Sequence, residues 1–422
     1  MSVAAAVLLA VTPASAFHNG GVGACEGCHI MHNSEQGSPV YGSSAQKYLL
    51  RQQDPSSVCL FCHQNLGDLG PTTYHISTPD SEILSAPPKQ LTPGGDFAWL
   101  KKSYSWQVSA TDPTLYTSPG ERHGHNIMAA DFLYLQDTVN TMAPGGNYPA
   151  DQLGCTSCHD PHGKYRRNND GSITTTGSPI SASGSFDSSP DPDGATAVGV
   201  YRLLGGIGYQ PKTIASGYAF VYNPPAAVAP LKANRAEDVT QTRVAYGSGM
   251  SEWCRNCHLN IHSPGDPQLV HAAGSAALFA QPYLDNYNKY VYDGNILATP
   301  DPSTSFLSLV PFEEGTSDYA TLKAHAKTDD SYLAGPAGPS QVMCLSCHRA
   351  HASGWDHITR WNTSSAYVEY NGFYAQEGQA YQPYGQGRTE QDALQAYYNK
   401  PANKFAPSQP TLCDKCHIGV YP

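Results

Sequence analysis

Hydrophobic positions fall in short, separated clusters along this chain, and few of them sustain one period for more than two turns. The first is an apolar run from Ala4 to Val11, closed by Pro13 and the small-x-small pattern Ala14-Ser-Ala16. That reads as a secretory signal, residues 1–16, cleaved before Phe17. No later stretch is long and apolar enough to span a bilayer. Thr72 to Thr78 alternates and predicts a short strand, with Tyr74 and Ile76 on one side and His75 on the polar side. Gly124 to Leu135 has helical spacing, with His125, Met128 and Phe132 on one face. Helices are also predicted over Ser251 to Ile261, over Gln268 to Ala280 with His271 on its apolar side, and over Ser317 to Lys327 behind a serine cap. The last of these sets Tyr319, Leu322 and His325 in one row. Thr389 caps a final helix, Glu390 to Lys400.

Between these elements the chain is polar and irregular. Residues 33–57, 86–123 and 170–198 read as loops, with Pro93-Gly-Gly and Ser118-Pro-Gly as turns. Gly and Pro contribute 39 and 33 of 422 residues, which disfavours long helices and broad sheets. A chain so rich in loops has difficulty offsetting its ordering entropy by side-chain burial alone. The net charge of −11 excludes the basic footprint that nucleic acid demands. Only 14% of residues are charged, which points to surface buried between subunits.

The chemistry lies in the cysteines. All 12 occur as six Cys-x-x-Cys-His pentapeptides: Cys25/Cys28/His29, Cys59/Cys62/His63, Cys155/Cys158/His159, Cys254/Cys257/His258, Cys344/Cys347/His348 and Cys413/Cys416/His417. A zinc site or a redox dithiol needs the cysteine pair but has no reason to place histidine next. Covalent c-type haem needs all three: two thioethers and one axial imidazole. Six haems are therefore expected, and they would supply the core the polypeptide lacks. The fold class is a multihaem cytochrome c, loop-rich, with short α-helices, little β structure and a core formed by a stack of haems.

Three motifs continue to a second histidine: His32, His162 and His351. Residues three apart on a helical turn project from one side, so the second histidine cannot cross the iron from the first. It can reach the iron of a neighbouring haem. The alternation of motifs with and without this histidine suggests three haem-pair units, about 17–123, 124–315 and 316–422. Seventeen histidines less six proximal ligands leave 11, enough to make every iron bis-histidine. The candidates for the distal position are His32, His162, His351, His125, His325, His271, His262 and His75; His18, beside the new terminus, ranks low. A fully ligated iron has no open position, which favours electron transfer over haem catalysis. Lys164-Tyr-Arg-Arg167 reads either as a partner for propionates or as a solvated loop. Gly205-Gly-Ile-Gly lacks the context of a nucleotide loop.

From Phe17 to Pro422 the chain resembles the OmcS-like family of extracellular hexahaem c-type cytochromes. The resemblance rests on Phe17-His-Asn-Gly-Gly-Val, Cys25-Glu-Gly-Cys-His-Ile-Met-His32, Cys155-Thr-Ser-Cys-His-Asp-Pro-His162-Gly-Lys-Tyr-Arg-Arg, Gly247-Ser-Gly-Met-Ser-Glu-Trp-Cys254, Cys344-Leu-Ser-Cys-His-Arg-Ala-His351 and Lys404-Phe-Ala-Pro. It implies a homopolymer with one unbroken haem stack, passing respiratory electrons to metal oxides, electrodes, partner cells or other cytochromes. It implies an exported protein, extracellular or at the outer cell surface. It also implies that His32 ligates the fifth haem, held by Cys344, Cys347 and His348, of the adjacent subunit. The chain departs from the family at His123 and His357, read as extra surface histidines, and at Asn65, where a second histidine would follow the second motif. The alternatives are a soluble periplasmic shuttle and, further off, a multihaem oxyanion reductase.

Overall fold

The structure, a computed structural model, describes residues 25–30, 34–35, 38–39, 48–67, 74–109, 111–180, 184–214, 217–230, 242–261, 271–289, 299–376 and 382–417. The leader (residues 1–16), His18, His32 and His262 lie outside them.

Within them, α-helices are short: α1 (Cys25–Cys28), α2 (Pro55–His63), α3 (Asp80–Ile83), α4 (Cys155–Cys158), α5 (Met250–Cys254), α6 (Gln281–Lys289), α7 (Tyr319–His325), α8 (Cys344–Cys347), α9 (Gln382–Gly385) and α10 (Glu390–Ala396). Four of the ten are a Cys-x-x-Cys turn or end on one. No described helix is long and apolar enough to cross a membrane. Strands run two to four residues and pair only locally, as in β3 (Tyr104–Trp106) with β4 (Tyr116–Ser118) and β8 (Ala226–Val228) with β9 (Ala245–Ser248).

Several predicted elements are changed. Residues 124–135 form no α-helix, only a 3-10 turn at Ala130–Phe132. The described part of 268–280 is turn and coil, and the strand expected over 72–78 is reduced in its described part to an isolated bridge from Ser77 to Gln64. There the faces are reversed: His75 is buried and Tyr74 exposed. In α7 the cap is Asp318, whose carboxylate accepts from the Thr321 N–H, and not Ser317. Thr389 does cap α10, reciprocally with Asp392. The 170–198 loop contributes β6 (Ile173–Thr174) and β7 (Val198–Gly199) to a small sheet with β5 (Arg166–Arg167). Arg166 and Arg167 donate to the carbonyls of Ser178, Thr175, Gly171, Pro224 and Pro225, so they brace loops, and Arg167 is buried.

The polypeptide builds apolar clusters, and three of those among the described residues border attachment cysteines. The largest joins Trp99, Trp355, Trp361, Tyr287, Phe306 and Tyr397 over the C-terminal half, with Cys347, Cys413 and Cys416 against it. A second, around Tyr246, Met250 and Met343, packs on Cys158 and Cys254. A third, around Leu60 and Phe97, packs on Cys155.

Candidate haem centres

Each attachment motif is one tight turn. α1, α4 and α8 run from first cysteine to second, which sets both thiols on one side. The N–H of the next histidine closes the turn onto the first cysteine's carbonyl, at 2.8 Å for His29 and 3.0 Å for His159, His258, His348 and His417. His159 and His348 then turn to extended backbone, φ −101° and −109°, which carries the imidazole off the helix.

The proximal rings are oriented by backbone carbonyls. Nδ1 of His29, His63, His159, His258 and His348 lies 2.8, 3.1, 2.7, 2.9 and 2.9 Å from the carbonyls of Tyr48, Tyr74, Arg202, Pro144 and His357. A carbonyl only accepts, so Nδ1 carries the hydrogen and Nε2 keeps a lone pair for a metal. Motifs one, three and five achieve this with the same device. His29, His159 and His348 bridge antiparallel to Leu50, Leu204 and Thr359, and in each case the accepting carbonyl lies two residues before the bridge. The residue between, Leu49, Leu203 or Ile358, is left-handed, with φ 53°, 55° or 59°. Side chains other than glycine rarely adopt this conformation, and such strain concentrates at functional positions.

The distal candidates meet these rings across a gap. His162 faces His29 with centroids 6.4 Å apart and planes 8° from parallel; His125 faces His258 at 6.1 Å, and His271 faces His417 at 6.0 Å. Two imidazoles bonded to one metal through nitrogens about 2 Å away have centroids about 6 Å apart, so the gap suits an iron. Nδ1 of His125 donates to the Ala350 carbonyl and that of His271 to the Ala272 carbonyl, again freeing Nε2. His351 is close enough to His159 to depress its proton affinity, after burial, to about 3. It stacks on Phe97 at 4.6 Å, and a Cβ on Gly94 would lie 2.7 Å from its Nδ1. Burial pushes the thiols of Cys257, Cys347 and Cys416 up to about 12, which disfavours thiolate chemistry and suits an uncharged thioether. Among the described residues no three His, Cys, Asp or Glu cluster to cage a bare ion. The residues fit haem: the cysteines and the proximal and distal histidines would hold it, and it would supply reversible one-electron chemistry.

Thiol neighbours place the motifs in order. Cys28 lies near Cys62, Cys59 against Cys155, Cys158 near Cys257, Cys254 against Cys344, and Cys347 near Cys413 and Cys416. The six sites therefore follow one another in space as in sequence. Two of the junctions are built alike. Ser56 Oγ, three residues before Cys59, accepts the Cys155 N–H at 3.0 Å; Ser251 Oγ, three before Cys254, accepts the Cys344 N–H at 3.0 Å. This packing joins motif two to three and motif four to five by the same bond.

Not every candidate joins a ring pair. His75 is buried beside Tyr74, whose ring also meets His63 edge-on at 5.6 Å. His325 instead donates Nδ1 to Glu314 at 2.6 Å and stacks on Tyr332 at 4.1 Å, next to Arg243. His123, expected at the surface, is fully buried between the Trp99 carbonyl, Ser118 and Arg388. His357 is exposed as expected, but its carbonyl orients His348. The orienting carbonyls carried no sequence signal. One repeat went unread: Pro144-Gly-Gly matches Pro93-Gly-Gly, and the Pro144 carbonyl orients His258 while a Cβ on Gly146 would lie 1.8 Å from the Cys257 carbonyl.

A loop-rich chain with six such turns in line, closed by imidazoles from distant segments, is a multihaem c-type cytochrome. No family model matches the chain. It is 52% identical to the C-type cytochrome OmcS of Geobacter sulfurreducens over 429 residues, covering 99% of this chain and 98% of that protein. By that likeness the chain belongs to the OmcS family. The structures of the OmcS nanowires and of the Outer Membrane Cytochrome S filament from the same organism superpose with TM-scores of 0.87 and 0.86, each at 51% identity and covering 96% of this chain and 100% of theirs.

Proposed function

We propose that this chain is an electron conduit: six bis-histidine c-type haems in line, continued from copy to copy in an extracellular filament that delivers respiratory electrons to acceptors outside the cell. The carrying observation is the set of facing imidazoles drawn from distant segments, among them His29 with His162, a pair that would tie the iron of the first motif to the segment holding the third. Short spacing speeds electron transfer between haems, and a second imidazole on each iron would leave no position for a substrate.

The proposed axial pairs are His29 with His162, His159 with His351, His258 with His125 and His417 with His271. His75, beside the second motif, is assigned to His63. For His348 the proposed partner is His32 of the adjacent copy, as the family resemblance implies. His325 and His262 are left out, since His325 is committed to Glu314 and His271 already faces the sixth motif. Membership of a family whose relative forms nanowires favours polymerisation over the soluble shuttle.

The test is His32→Ala. Purified variant with six haems per chain but no filaments by electron microscopy is the expected result. Filaments of normal length from that variant would reject the assembly, and fewer than six haems in the native chain would reject the reading as a whole.

A further inference from the structure

The junction between motifs four and five holds a carboxyl group that the haem reading does not use. Glu313 is fully buried. One oxygen accepts the Met250 N–H at 2.6 Å, at the start of the helix that ends on Cys254, while Oε2 has no hydrogen-bond partner. Two further oxygens nearby are in the same state: Oε2 of Glu252 and Oε1 of Gln341, whose backbone pairs with that of Glu313 in both directions. Three buried acceptors lack a donor. A proton on Glu313 would supply one.

The surroundings set how readily that proton binds. Burial raises the Glu313 carboxyl to about 7, opposed by the Met250 and Gly249 N–H groups and helped by Glu252 and Cys344. Glu252 on the fourth-motif helix and Cys344 on the fifth are the titratable groups facing it; thioether formation would remove the Cys344 acid and leave the burial. Glu314, next in the chain, turns away to Arg243 and His325. On the Gln341 side the neighbour is uncharged, and Tyr246 of β9 offers its carbonyl to Glu314 while its hydroxyl faces Tyr201. Glu252 is half-buried and gives Glu313 a neighbour in contact with water.

We propose that the Glu313 carboxylate takes up a proton from water when an electron reaches the fourth or fifth haem, so that electron transfer at this junction is proton-coupled. One electron enters the iron and one O–H bond forms on the carboxylate, leaving the net charge of the pair unchanged; on reoxidation both leave. The physical drive is Coulombic. A negative charge arriving within about 10 Å raises a buried acid's proton affinity roughly tenfold at an effective dielectric of ~20. The inference rests on haems being present at motifs four and five.

The experiment is spectroelectrochemical titration of the native filament and of Glu313→Gln across pH 5.5–8.5, with haem counted in the same samples. Glutamine keeps the acceptor for the Met250 N–H and can donate to the two orphaned oxygens, so the variant should fold. Expected is a midpoint, for part of the haem signal, that falls with rising pH in the native protein, by up to ~59 mV per tenfold change in proton concentration for a one-electron step, and a flat profile in the variant. Glu252→Gln should keep most of the slope. Redox-difference infrared spectra of the native protein should show a protonated carboxyl band on reduction that Glu313→Gln lacks. A flat native profile at six haems per chain, an unchanged slope in Glu313→Gln, or a slope lost only in Glu252→Gln overturns the proton role; fewer than six haems overturns the haem reading instead.

Discussion

His162 stands 6.4 Å from His29, ring planes within 8° of parallel, although the two belong to the third and first motifs. We propose that His162 serves the haem of the first motif and not that of the motif that carries it. His351 is proposed for the third motif by the same rule. Iron bonds of this kind would lace together segments far apart in the sequence.

Removing one lace should open one iron. His162→Ala, or His125→Ala, is expected to leave haem content unchanged and to produce one high-spin haem per chain that binds carbon monoxide when reduced, where the native protein binds none. His325→Ala should leave the ligand field as it was. It should cost about 1–2 kcal/mol of stability, because Glu314 loses a hydrogen-bond partner. Carbon monoxide binding by the His325 variant would reverse these assignments.

The two serine junctions should respond alike. Ser56→Ala and Ser251→Ala each leave the amide of Cys155 or Cys344 without its acceptor. Both serines are 2% exposed, so water cannot replace them. A loss of about 1–3 kcal/mol each is expected by denaturant titration. The losses should add in the double variant, since the sites share no partner.

Gly95 combines a φ of +98° with a Cβ position 1.7 Å from the Ala352 carbonyl. Gly95→Ala is expected to displace the turn from His351 and to abolish stable haem loading at the third motif, measured as a fall in haem per chain. Gly67→Ala, at φ +74° with open space around it, should cost only about 1 kcal/mol and keep six haems.

Acid stability should depend on Asp356. Burial opposes its charge, but the bond from the Ser118 hydroxyl and the nearby Arg388 guanidinium hold it down at about 2. The native state therefore binds a proton less readily than the unfolded chain. The stabilisation is present above about pH 4 and lost as pH falls towards 2, roughly 2 kcal/mol in all. His123 adds to this from higher pH. Its Nδ1 hydrogen goes to the Trp99 carbonyl, Arg388 donates to Nε2, and burial lowers its proton affinity. The unfolded chain takes the proton first, so stability declines as pH drops below about 6.5. Asp356→Asn should flatten the acid limb of the melting curve below pH 4.

A chain made without haem attachment should not melt cooperatively. Three of the apolar clusters, the largest among them, border cysteines and would lose the group packed against them. A sharp calorimetric transition of the haem-free chain would contradict this.

The attachment turns, the proximal histidines and the loop-rich class were legible in the sequence because they are local. Cys-x-x-Cys-His closes its own helical turn whatever surrounds it, and Gly and Pro limit element length by their own backbone chemistry. The pairing of rings was not legible. His125 looked helical and instead lies in irregular backbone, held by the Ala350 carbonyl 225 positions away, and His123 looked superfluous but is buried in an ion-pair network. Orientation of an imidazole depends on which carbonyl the folded chain brings to its Nδ1, and a carbonyl is the same at every residue. The sequence by itself determined how many haems are bound and where each is anchored; only the tertiary structure decided which distant imidazole faces each one, since that is set by packing between segments that no local spacing encodes.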